Sequence, residues 1–93
     1  MANFIVRVEL YGADAERYDA LYEKMSALGL SKEIRDNGTT YDLPTGTYCG
    51  TFNASAEDVQ SAVKSVADPL STKAASIFVC SFNDWSAFLY RSS

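Results

Sequence analysis

The sequence predicts an α+β fold in which an antiparallel sheet carries two helices on one face. Three observations lead there: a two-residue apolar alternation at 4–11, two stretches of helical periodicity opened by capping residues, and an Asn-Gly pair between two short arms. A chain of 93 residues, 47% of them hydrophobic, suffices for one core and not for two, so a single domain over 1–93 is expected.

Phe4, Val6, Val8 and Leu10 alternate with Ile5, Arg7, Glu9 and Tyr11, the period of a strand buried on one face. Gly12-Ala13 turns the chain, and Asp14 can accept a bond from an early helical N–H. Tyr18, Leu21, Tyr22, Met25 and Leu28 then recur at helical spacing until Gly29, a left-handed cap, ends the helix. Ser31–Arg35 and Thr39–Tyr41 flank Asp36-Asn37-Gly38, a tight hairpin turn, and the short polar first arm reads as an edge strand. Pro44 interrupts the ladder, and Thr47–Phe52 resumes a strand with Tyr48, Gly50 and Phe52 on one face and Cys49 and Thr51 on the other. Ser55 opens a second helix with Glu57 and Asp58 in its first turn and a stripe of Val59, Ala62, Val63 and Val66, and Asp68-Pro69 stops it. Ser76–Phe82 is apolar on both faces, as expected of a covered strand. Asn83-Asp84 can cap a short C-terminal helix over Trp85–Tyr90.

This order, βαββαβ, is the split arrangement of a ferredoxin-like sandwich. It places the strands holding Cys49 and Cys80 on either side of the first strand, roughly 9–10 Å apart and beyond disulfide reach. Two cysteines make neither a disulfide scaffold nor a zinc pattern, so both are expected as buried thiols. No apolar run approaches the ~20 residues of a membrane helix, and with no signal-peptide pattern at Met1-Ala2-Asn3 a cytoplasmic protein is expected. Eight basic against twelve acidic residues give a net charge of -4, which argues against broad nucleic-acid affinity. The absence of histidine excludes histidine-based triads and dyads.

In such a fold the sheet face turned away from the helices is where function or assembly belongs. Ile5, Arg7 and Glu9 fall there, beside either Phe78, Cys80 and Phe82 or Ile77 and Val79. An apolar patch of that kind needs a cover, supplied by Trp85, Phe88, Leu89 and Tyr90 folding back or by a second copy, and a homodimer is expected with Phe78, Cys80, Phe82, Trp85 and Phe88 at its interface.

Five constellations bear on chemistry. Glu9 and Asp14 offer oxygen ligands suited to magnesium, although Asp14 serves equally as a helix cap; no metal and no cofactor are expected. Arg7, Lys32 and Arg35 are the candidates for gripping RNA phosphate, or else solvated edge charges. Tyr48 and Phe52 have the spacing of RNA-stacking aromatics, with core packing the stronger expectation. Glu16, Asp19 and Glu23 form an acidic stripe on the first helix, a solvated face or a docking surface for a basic protein partner. Cys49 and Cys80 lack a base to activate them, so no catalytic residue is singled out.

Tyr18, Leu21, Met25, Gly29-Leu30, Ile34 and the run Asn37-Gly38-Thr39-Thr40-Tyr41-Asp42-Leu43-Pro44-Thr45-Gly46-Thr47-Tyr48 resemble the small GhoS-like antitoxin family, most sharply over Tyr41–Thr45. The resemblance runs from the first strand to Trp85. It implies a ferredoxin-like fold related to the small CRISPR adaptation proteins and, as in GhoS, an endoribonuclease acting on the message of a membrane-acting toxin. Those adaptation proteins keep an aspartate at the end of the first strand, where this chain carries Glu9, with Asp14 further on. The expectation is therefore a small prokaryotic or phage regulatory protein that binds RNA or a protein partner. A phage-encoded anti-CRISPR-type inhibitor and a metal-dependent endoribonuclease are the alternatives.

Overall fold

The computed structural model describes residues 1–92. Its elements follow the order β1 (Ala2–Glu9), α1 (Ala15–Ala27), β2 (Glu33–Asp36), β3 (Thr39–Asp42), β4 (Thr47–Phe52), α2 (Ala56–Ala67) and β5 (Ser76–Phe82). The alternation in β1 does what its period requires: Phe4, Val6, Val8 and Leu10 are buried beneath the helices. β1 lies between β4 and β5 in a three-stranded sheet, antiparallel to both. Ile5 is paired with Cys49 on one side and Cys80 on the other, so two strand spacings separate the thiols, as expected.

Both helices are started by their own side chains. Asp14 accepts the Arg17 N–H at 3.0 Å to open α1, which buries Leu21 and Met25 and ends at Gly29. In α2, Ser55 and Asp58 form a reciprocal capping box. Its buried residues are Val59, Val63 and Ala67, spaced by four. Ala62, expected in that stripe, is exposed because it sits about 100° around the helix from the stripe's centre. A single 3₁₀ turn, Asp68–Leu70, then leads to β5. Asp68 holds this corner by accepting from Lys64 Nζ at 2.7 Å and from the Ala75 N–H at 3.0 Å.

Two expectations require correction. The sheet is not continuous: β2 and β3 form a separate two-stranded ribbon, joined to β4 through a bridge at Ser31, which exchanges two backbone bonds of 2.9 Å with Cys49, and through the Cys49 thiol on the Glu33 carbonyl. The cause is local, because the Ser31 hydroxyl accepts the Glu33 N–H at 3.1 Å and bends the chain out of the ladder one residue after the bridge. The ribbon's turn is as expected, with Asn37 and Gly38 at φ 50° and 80°.

The short C-terminal helix over Trp85–Tyr90 does not form. That segment forms no regular element and leads to β3, where the Asp42 N–H donates to the Tyr90 carbonyl at 2.9 Å and the Ser92 N–H to the Thr40 carbonyl at 3.0 Å. Six residues close few internal helical bonds, whereas the free side of β3 offers a ready ladder. No helix among the described residues is long and apolar enough to cross a membrane.

Candidate functional site

A cavity of about 300 Å³ opens between α1 and the loop that joins β3 to β4. Helical spacing places Tyr18, Asp19 and Tyr22 along one wall, and Asp42 and the Pro44–Gly46 turn form the opposite one. The turn is closed by the Thr47 N–H on the Pro44 carbonyl at 3.0 Å and tied to β1 by the Val8 N–H on the Gly46 carbonyl at 2.8 Å. Gly46 has φ 78°, and a Cβ there stands 2.8 Å from the Val8 carbonyl oxygen, so this position requires glycine.

Three phenols converge on this cavity. Tyr18 is held by the main chain of Leu10, accepting its N–H at 3.0 Å and donating to its carbonyl at 3.3 Å. The Lys32 ammonium lies 4.4 Å from the centroid of the Tyr22 ring. Tyr48 is only 4% exposed, and burial, together with the nearby Tyr18 and Tyr22, holds its phenol above the ordinary value.

The second cavity is apolar. It occupies about 360 Å³ on the open sheet face, walled by Ile5, Ile34, Phe82, Trp85 and Leu89. Register decides which residues lie on that side. Val6 pairs with Val79 and Val8 with Ile77, which turns Ile77 and Val79 toward the helices and leaves Phe78, Cys80 and Phe82 outward. The tail covers this face in part: Phe82 and Cys80 are half-buried, Trp85 is 41% exposed, and Phe78 and Phe88 stand out at 63% and 83%. Leu43 and Pro44 wall both cavities.

The other residues singled out from sequence fall as follows. Arg7, Lys32 and Arg35 are all exposed and line no common cavity: Lys32 borders the tyrosine cavity, Arg7 a shallow cleft with Glu9 and Phe78, and Arg35 neither. Glu16, Asp19 and Glu23 share an exposed face of α1, with Asp19 at the cavity wall. Asp14 is occupied as a cap, and no group of three metal-ligating side chains occurs among the described residues. Phe52 packs on Phe4 with ring centroids 6.2 Å apart, so with Tyr48 it belongs to the helix side of the sheet. The Cys49 thiol donates to the Glu33 carbonyl at 3.3 Å, and burial pushes its pKa up, away from a reactive thiolate.

The tyrosine cavity escaped sequence reasoning, because Tyr18 and Tyr22 fit the helical stripe equally well as core residues. The available signal was two phenols one helical turn apart, whose hydroxyls call for polar partners at the edge of a core. Comparison with protein-family models, curated proteins and solved structures gives no match.

Proposed function

We propose that the chain is a small regulatory binding protein of the GhoS-like kind on a ferredoxin-like scaffold, and that its target is a protein presenting a basic segment. One observation carries this: Asp19 belongs both to the acidic face of α1, with Glu16 and Glu23, and to the wall of the tyrosine cavity. The dispersal of Arg7, Lys32 and Arg35 and the net charge of -4 favour a protein over RNA, and the engagement of Asp14 as a cap disfavours metal-assisted cleavage through Glu9 and Asp14. A phage-encoded inhibitor of a nucleic-acid-handling complex uses the same surface.

The test is parallel binding of a basic peptide and of a labelled RNA panel, at low and physiological salt, with and without magnesium. Peptide binding abolished by joint replacement of Glu16, Asp19 and Glu23 with lysine supports this function. RNA cleavage lost in Arg7→Ala replaces it with a GhoS-type nuclease.

A separate observation favours a homodimer. β5 is an outer strand of its sheet, and among the described residues no backbone bond leaves its free edge. Ser76–Phe82 contains no charge, proline or glycine, the devices that normally blunt an edge. Pairing with a second copy about Val79 sets Phe78 of each chain beside Cys80 of the other and covers the exposed ring.

A further inference from the structure

The charges of the tyrosine cavity are left unbalanced within the chain. Asp19 and Asp42 stand in its wall with no ion-pair partner among the described residues, where Lys64 and Asp68 form the ion pair. Asp42 takes one neutral bond, from the Ser92 hydroxyl at 2.7 Å. The basic residue at the cavity, Lys32, is stacked on the Tyr22 ring. Tyr48 lines the same cavity, 96% buried by its 4% exposure, and its hydroxyl makes no hydrogen bond among the described residues. That hydroxyl is still reached by solvent, the sealed hydroxyl without a partner being that of Thr47, so a donor entering the cavity bonds it by displacing water and breaks no bond within the chain.

We infer that this cavity receives the guanidinium of an arginine side chain presented by a protein partner, which rests on reading the acidic face of α1 as the docking surface. Each wall matches a property of that group. A guanidinium is planar and weakly hydrated, so it stacks on phenol faces; its fork of N–H donors pairs with a carboxylate such as Asp19 or Asp42 and can donate to the Tyr48 oxygen. A lysine ammonium is compact and strongly hydrated, and has no planar fork to pair with a carboxylate while lying against a ring. A phosphate meets two carboxylates against one ammonium. The volume, about 300 Å³, lies at the lower end of the roughly 300–1,000 Å³ typical of small-ligand sites and suits a single side chain. Glu16 and Glu23 then steer the flanking basic residues of the same segment.

Titration of a short arginine–glycine peptide, followed through the tyrosine ring resonances by NMR, tests this against lysine–glycine and citrulline–glycine peptides. The arginine peptide should shift the Tyr22 and Tyr48 rings saturably and bind about tenfold tighter than the lysine peptide, with citrulline silent. Asp19→Asn and Tyr48→Phe should each weaken arginine binding by about fivefold or more. Tyr48→Phe removes only the unpartnered hydroxyl, and an unchanged circular dichroism spectrum confirms its folding. Equal affinity for the arginine and lysine peptides, unaltered by Tyr48→Phe, overturns the guanidinium site and leaves the docking surface standing. Failure of both basic peptides to bind at physiological salt overturns the two together.

Discussion

The two sides of one sheet are covered in opposite ways. On the helix side, Phe4, Val6 and Val8 are sealed by α1 and α2, which bring caps made from their own side chains and stripes of Leu21, Met25, Val59 and Val63. On the open side, Ile5, Cys80 and Phe82 are covered by the β2–β3 ribbon and an irregular tail, which depend on each other for backbone bonds. Elements that satisfy their own polar groups pack closely over Phe4, Val6 and Val8, and the tyrosine cavity lies at their margin, where α1 faces the β3–β4 loop. Segments that must borrow partners leave gaps, and the apolar cavity and the exposed Phe78 and Phe88 are those gaps.

The largest effect should come from breaking the sealed side. Leu21→Ala, at a fully buried position, should cost about 3 kcal/mol in urea unfolding. Gly46→Ala forces a left-handed backbone and a Cβ against the Val8 carbonyl, and should cost about 2 kcal/mol while displacing the loop shared by the two cavities. On the open side, Leu89→Ala should cost only about 1 kcal/mol, with the emission of Trp85 shifting toward that of solvated indole. A cost equal to that of Leu21→Ala means the tail is as much core as the helices.

The corner beyond α2 sharpens the contrast through pH. The Lys64 side chain and the Ala75 N–H hold the Asp68 carboxyl below its ordinary value of 3.8. Because the folded pKa is depressed, the stabilisation is present above the unfolded value and is lost as pH falls through the folded one. Asp68→Asn should therefore flatten the acid limb of the stability curve below about pH 4 and leave its slope near neutrality unchanged. The smallest effect on folding is expected from Phe78→Lys, within ~0.5 kcal/mol at this exposed ring. Sedimentation should nonetheless show it monomeric where the parent chain is dimeric; a parent that sediments as a monomer removes β5 pairing.

Short-range signals carried β1, α1, the Asn37-Gly38 turn and α2, because alternation, helical spacing and caps are satisfied within a few residues of where they are written. They also located the acidic face of α1, since residues three and four apart on a helix must share a side. The path of Trp85–Tyr90 was not legible, because it depends on the unpaired edge of β3, more than forty residues away, and not on its own caps. The division of the sheet turned on one hydroxyl, that of Ser31, competing for a backbone N–H. The meeting of Tyr18, Tyr22 and Tyr48 required α1 to lie against β4, a contact between distant parts of the chain. Local backbone chemistry is encoded within a single turn or strand, whereas a cavity exists only where separate elements fail to fill the space between them.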